Sequence, residues 1–331
     1  MLRILITGGA GFIGLHLAKR MLAEGHNVTI CDNFSRAVKD PDLQKLFDHK
    51  NCQIVEADLL DVNSVHSLGT EFDLIFHLAA IIGVQHVLAQ PYAVLINNVK
   101  ILENVISLAK TQRNLTRLLF ASTSEIYAGT QQQFNIEIPT SEDTPLAIAS
   151  LEHPRTSYML SKLYGEAMCV QSGLPVTIFR PHNVYGPRMG FAHVIPELFK
   201  KVYQAKLGDQ VEVFSVDHTR TFCYISDAIE QLVRMSRSSD CENKIVNLGT
   251  ETPETTIGDL ASIILNVAGR EDLKIKKLPA TSGSPARRCP NMEKTYQLIN
   301  YTSEISLTEG VRKTFDWYSN NIFANKGMSS L

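Results

Sequence analysis

A chain of 331 residues with 44% hydrophobic content can bury a large core, and the expectation is one big α/β unit with a second lobe. Its formal net charge is -2 and its Lys and Arg are scattered, which excludes a basic block of the kind that binds nucleic acid or an anionic membrane. Six cysteines (Cys31, Cys52, Cys169, Cys223, Cys241, Cys289) lie far apart without a C-x-x-C spacing, which excludes a zinc or dithiol site and fits reduced thiols.

In chain order, the first half alternates short β-branched runs with longer helical patterns. The runs are "RILIT" (3–7), "NVTIC" (27–31), "CQIVEA" (52–57), "DLIFHL" (73–78), "RLLFAS" (117–122) and "PVTIFR" (175–180). Helical periodicity occupies 12–25, closed by Gly25, and 91–110. Apolar runs separated by helices predict a parallel sheet covered on both faces, a doubly wound domain over residues 1–181. After Pro181 the pattern loosens. Helices near 194–206, from 226, near 257–268 and near 305–319, with strands near 211–214 and at "KIVNLG", predict a smaller lobe over 182–320. That lobe is interleaved with returns to the main sheet around 215–250. Residues 321–331 read as a frayed polar tail. The N-terminus enters "LRILITGG" directly, and no run approaches the roughly 20 apolar residues of a membrane span. The expectation is a cytoplasmic protein, in which the sequons at Asn27, Asn114 and Asn300 are chance matches.

"ITGGAGFIG" sets Gly8, Gly11 and Gly14 between the first strand and the first helix. Glycines there permit a tight turn and let the amides at the helix mouth, at Phe12 and Ile13, approach a pyrophosphate. Asp32, ending the second strand beside Asn33, is placed to accept from ribose hydroxyls and to repel a 2′-phosphate, which favours NAD over NADP despite the nearby Arg36. Asp58, beside Leu59, either meets the adenine edge or caps a helix. "HLAA" (77–80) ends the fourth strand in small residues, Ala79 and Ala80 after Leu78, that let a cofactor lie against the backbone. "SYMLSK" places Tyr158 one helical turn ahead of Lys162. A phenol is a weak base at neutral pH unless cationic charge stabilises its anion, and Lys162 can supply that charge. "FASTSEIY" brings Ser122, Thr123, Ser124 and Glu125 to the carboxyl end of the fifth strand, where open α/β sheets place ligands. "RPHNVYGPRM" follows the sixth with Asn183, Arg188 and a turn, a polar group of the type that orients a sugar phosphate at the substrate site. His193 and His77 read as structural, and Cys223 as core.

Together with Asn98 in "NNV", Pro181 and "RTFCYISD" (220–227), these motifs stand in the order of the extended short-chain dehydrogenase/reductase family. The chain resembles that family's nucleotide-sugar epimerases, dehydratases and decarboxylases along nearly its whole length. The resemblance implies a Rossmann sheet with a smaller interleaved C-terminal substrate-binding lobe, and NAD held by Gly8, Gly11, Phe12, Ile13, Asp32, Asn33, Asp58, Leu59, Leu78, Ala79, Ala80, Asn98, Tyr158, Lys162 and Pro181. It implies Tyr158 as base, Lys162 as its electrostatic partner and Thr123 as proton relay for oxidation at the sugar C4. It also implies Asn183 on the sugar phosphate, Arg220 and Arg288 on the pyrophosphate, and a homodimer paired through helices 91–110 and 157–172. Glu125, preceded by Ser124, resembles the second base of dehydratases and UDP-glucuronate decarboxylases; a solvated loop carboxylate is the alternative. Arg155 and Arg288 stand as in the decarboxylase pattern, against helix-entry packing and plain phosphate binding. "EIYAGT" and "FSVDHTR" depart from the family pattern. Decarboxylase-like chemistry is the leading expectation, with 4-epimerase and 4,6-dehydratase as alternatives. A non-catalytic dinucleotide sensor is the rival from another class, and intact Thr123, Tyr158 and Lys162 argue against it.

Overall fold

A computed structural model describes residues 1–37, 40–148, 150–281 and 284–324. The strands β1 (Arg3–Thr7), β2 (Asn27–Asp32), β3 (Cys52–Glu56), β4 (Leu74–His77), β5 (Arg117–Ala121) and β6 (Val176–Pro181) form one parallel sheet with the Lys244–Leu248 strand. Their spatial order is Lys244–Leu248, β6, β5, β4, β1, β2, β3. The chain therefore runs outward from β1 to β3, then returns to place β4 on the other side of β1. Thr7 pairs with Cys31 on one flank and His77 on the other, so the switch point of the sheet opens beside Gly8.

Strand alternation divides the core between two faces. Ile4, Ile6, Phe76, Leu119 and Phe179 pack on one side, against the Phe12–Ala23 and Ile225–Arg237 helices. Leu5, Ile75, Leu118 and Ile178 pack on the other, against the Pro91–Thr111 and Arg155–Gln171 helices. Both faces are covered, which is why these strands read as continuous apolar runs.

The second lobe holds the Val194–Gln204, Ile257–Val267 and Leu307–Tyr318 helices. It also holds a parallel pair formed by Gln210–Phe214 and Lys274–Leu278. A small sheet pairs Thr219–Arg220 with Thr255–Thr256 and Arg287–Arg288. The tail departs from the expected fraying. Ser319–Phe323 forms a further helical turn in which Ile322 is buried and the Phe323 ring stacks on Tyr203, centroids 4.4 Å apart. Residues 325–331 lie outside the described residues. His77 and Cys223 are buried as expected, and none of the six cysteines is in a disulfide.

Candidate active site

Gly8 takes a φ of +69°, and a Cβ on it would stand 2.8 Å from the amide nitrogen of Ala79. The close approach of the Leu78–Ala79 backbone after β4 therefore requires a residue without a side chain at Gly8. Gly11 is the N-cap of the first helix without a side-chain cap, so the amides of Phe12 and Ile13 face no capping oxygen and suit a phosphate. Asp32 accepts from Ala10 N at 3.1 Å and Phe34 N at 2.9 Å. Burial raises its pKa, against the pull of these amides and of Arg36. Asn33 shapes the same turn by accepting from Ser35 N at 3.1 Å. This bare, amide-lined crevice ending in a carboxylate fits a dinucleotide with free ribose hydroxyls.

Other expected cofactor residues frame the crevice. Asp58 Oδ1 accepts from Leu60 N at 2.9 Å in a local turn, while the helix that follows is capped by Asp61, so the capping alternative for Asp58 is not realised; the Leu59 carbonyl accepts from Asn104 at 2.8 Å. Leu78 and Ala79 are tied to Thr7, the one to its carbonyl and the other to its hydroxyl, and Ala80 follows them, partly exposed at the crevice. Asn98 commits its amide to both polar groups of Ile81, at 2.7 and 3.1 Å; it fixes the wall after β4. Arg188 differs from its expected place at the substrate. Its backbone has a φ of +69°, its Nε meets Asp40 and its Nη1 reaches the Ala10 carbonyl at 3.2 Å. The turn after Pro181 sends this cation under the glycine loop, where burial is offset by the Asp40 carboxylate.

Thr123 is extended, its Oγ1 accepts from Glu125 N at 3.2 Å, and its hydroxyl is near enough to Tyr158 to draw the phenol's pKa down. Lys162 donates to the Ala121 carbonyl at 2.7 Å, and its Nζ lies 6.0 Å from the Tyr158 ring centroid. One strand end and one helix turn thus assemble hydroxyl, phenol and ammonium. Burial, then the Glu125 carboxylate, raise the Tyr158 pKa; Thr123 and Arg36 pull the other way. Tyr158 is accordingly a neutral phenol at rest. Burial lowers Lys162 to about 8 against the opposing pull of Cys169 and Glu166.

Glu125 and Arg155 form an ion pair at 2.8 Å while keeping 28% and 36% of their side chains exposed. Ser124 beside them is buried. The Arg288 pKa is lowered by burial, raised by Glu125 and lowered again by Arg155, so all three charges share one neighbourhood. Arg288 is in register with Arg220 across paired strands. Arg220 donates to Pro285 O at 2.6 Å and Ser284 Oγ at 3.0 Å. Burial and the charge of Arg288 lower its pKa to about 10. Asn183 adopts a φ of +42° and donates to Thr221 O at 2.9 Å. With Arg220, Phe214 and His218 it lines a cleft of about 240 Å³. His218 Nδ1 is a buried atom without a hydrogen-bond partner. His193 precedes the Val194–Gln204 helix, close enough to Arg36 and Glu125 for both charges to act on it.

The sequence reading missed a buried layer beneath this site. Arg180 forks onto Glu166 at 2.9 and 2.7 Å, Glu166 also accepts from Ser122, and Arg180 continues to the Tyr127 hydroxyl at 2.7 Å. The available signal was a charge closing the apolar run "VTIF", since such a residue must find a partner inside.

The model of the NAD dependent epimerase/dehydratase family matches residues 4–249. The UDP-N-acetyl-alpha-D-glucosaminuronate decarboxylase of Bacillus cytotoxicus is 33% identical over 330 residues, covering 96% of this chain and 97% of that protein. UDP-glucuronic acid decarboxylase 1 of Danio rerio is 33% identical, covering 97% and 73%. The solved structure of Pal from Bacillus thuringiensis superposes with a TM-score of 0.80 at 26% identity, over 96% of this chain and 99% of that one. With the glycine crevice, the Tyr158–Lys162 turn and the matched length taken together, the chain is an enzyme of the NAD-dependent epimerase/dehydratase family.

Proposed function

We propose that this enzyme decarboxylates a UDP-linked uronic acid through transient oxidation at C4. The observation that carries the reading is the Glu125–Arg155 ion pair, with Arg288 close enough to feel both charges, beside Thr123 and Tyr158. A carbonyl at C4 turns the C6 carboxylate into that of a β-keto acid, which loses carbon dioxide as its electron pair passes to the C4 oxygen. Bound NAD supplies the hydride acceptor that makes this carbonyl and the donor that removes it. Tyr158 takes the C4 hydroxyl proton through Thr123 and returns one at the end. Its raised pKa suits the returning step, and the Lys162 ammonium favours the forward one. Arg155 and Arg288 hold the carboxylate by charge-assisted hydrogen bonds, and Glu125 manages the proton at C5. Asn183 and Arg220 bind the diphosphate in the cleft. The printed names of the Bacillus cytotoxicus and Danio rerio relatives support a uronate substrate.

Residues 1–181 carry the cofactor, and residues 182–320 mainly carry the nucleotide sugar. The Pro91–Thr111 and Arg155–Gln171 helices pack side by side and leave Tyr92, Tyr164 and Val170 exposed. That surface supports a homodimer through four helices. Cysteines without disulfides support a cytoplasmic setting, and among the described residues no helix is long and apolar enough to cross a membrane.

A second reading follows from the same ion pair. If Glu125 and Arg155 stay paired with substrate bound, neither reaches C5 or C6, and return of hydride to the other face gives 4-epimerisation. Mass spectrometry separates the two. UDP-glucuronate, UDP-N-acetylglucosaminuronate and neutral UDP-, dTDP-, GDP- and CDP-sugars are incubated with enzyme and NAD. A product lighter by carbon dioxide is expected from a uronate. Unchanged mass at a new retention time means epimerisation and loss of water means dehydration, and either overturns the reading. Full turnover by Tyr158→Phe would sink the C4 oxidation itself.

A further inference from the structure

Two of the three charges that decide the chemistry after C4 oxidation arrive on separate elements. Glu125 stands in the Ser124–Tyr127 turn after β5, and Arg288 in a two-residue strand of the second lobe. The elements meet at one fully buried amide, that of Asn247 in the Lys244–Leu248 strand. Its Oδ1 accepts from the Tyr127 hydroxyl at 3.2 Å, two residues beyond Glu125. Its Nδ2 donates at 3.0 Å to the carbonyl of Asn291, three residues beyond Arg288. The same Nδ2 donates at 3.0 Å to the carbonyl of Thr140, whose own amide donates to Cys289 O at 2.8 Å. The backbone amide of Asn247 is held by Glu142 Oε1 at 2.6 Å. An asparagine offers one accepting and one donating end in fixed opposition, and here each end grips a different catalytic segment.

We propose that Asn247 is a positioning residue that sets the separation of Glu125 from Arg288, and with it the step that removes the carboxylate. It touches no substrate atom. The inference rests on the decarboxylase reading for its kinetic consequence, and on geometry alone for its structural one. Replacement by aspartate keeps the shape but turns an oxygen toward the Thr140 and Asn291 carbonyls, so the Arg288 segment is repelled while Thr123, Tyr158 and Lys162 keep their own supports.

Single turnover of the holoenzyme with UDP-glucuronate or UDP-N-acetylglucosaminuronate tests it. The absorbance of reduced cofactor reports C4 oxidation, and carbon dioxide release reports the next step. Asn247→Asp is expected to leave the first within about twofold and to slow the second about 10- to 100-fold, the scale of an ångström-sized misplacement. Equal loss in both steps, or in neither, overturns the proposal. Should Asn247→Asp fail to fold, Tyr127→Phe removes one of the two contacts to Oδ1, leaving that of His182 Nε2 at 3.1 Å, while keeping the ring, and is expected to slow the second step alone by a smaller factor; no such split overturns the proposal. If wild type releases carbon dioxide from neither uronate, the functional reading falls. The crystal structure of Asn247→Asp or Tyr127→Phe then decides the positioning claim, which an unchanged Glu125–Arg288 separation overturns.

Discussion

Two glutamate–arginine pairs occupy neighbouring regions of the molecule and differ in everything except their chemistry. Under the sheet end, Arg180 and Glu166 are 2% and 5% exposed. Ser122, Tyr127 and the Glu142 carbonyl take up most of the remaining hydrogen-bonding capacity. In the turn after β5, Glu125 shares a single contact at 2.8 Å with Arg155, and both remain about one-third exposed. A saturated buried pair cannot be exchanged without stranding a charge, whereas a wet, singly bonded pair can trade its partner for substrate at little cost. The first pair is architecture; the second, in the proposed reaction, is free to meet the substrate.

The comparison is broken most directly by neutralising each carboxylate. Glu125→Gln is expected to lower turnover on the uronate by about 10² to 10⁴, the range of a lost acid–base group. Urea unfolding of that variant should shift by no more than about 0.5 kcal/mol, as at exposed positions. Glu166→Ala should instead cost about 3–5 kcal/mol of stability by leaving Arg180 buried and alone. Equal destabilisation by both changes would erase the distinction. Arg155→Leu comes next: its KM for the uronate should rise about 10- to 100-fold through the loss of charged hydrogen bonds. A neutral UDP-sugar used as competitor should bind it as well as wild type.

The smallest effect sharpens the link between the buried pair and Lys162. Lys162 titrates near 8 in the fold against 10.5 for a free lysine. Below pH 8 both states carry the proton and the burial cost is fully present. Between about 8 and 10.5 the folded chain has shed it, so this contribution favours folding as pH rises. Activity should move oppositely, falling above pH 8 as the ammonium is lost. Because Glu166 holds the Lys162 pKa up, Glu166→Gln should displace that alkaline limb to lower pH, while Glu125→Gln leaves it in place. The pH profile of kcat/KM reads this directly.

The cofactor half was legible in the sequence because its signals are local. Gly8 and Gly11 announce a turn and helix mouth, Asp32 a strand end, and Tyr158 and Lys162 a single helical turn. The charged cluster was legible as residue types, yet its convergence depends on four separated segments, 125, 155, 220 and 288, that only the fold brings together. Short elements such as Pro41–Phe47, Val62–His66 and Glu293–Ile299 escaped because so few residues carry little periodicity and borrow their stability from packing. Arg188 misled because its turn puts a non-glycine residue at positive φ, reversing the direction in which its side chain leaves. Asn247 sat in plain view in "KIVNLG", but an asparagine in an apolar strand does not reveal which of its ends will be used.

The seventh strand has a consequence for how the molecule comes into being. β6 ends at Pro181, and the strand that pairs with it starts only at Lys244. At roughly 5–20 residues per second of synthesis, that edge stays open for about 3 to 13 seconds on a nascent chain. Throughout that interval the cofactor half presents an unpaired apolar strand, the kind of surface that recruits another chain. Its closure waits for the segment that also delivers Asn247, so sealing the sheet also installs the amide onto which the later Arg288 segment docks.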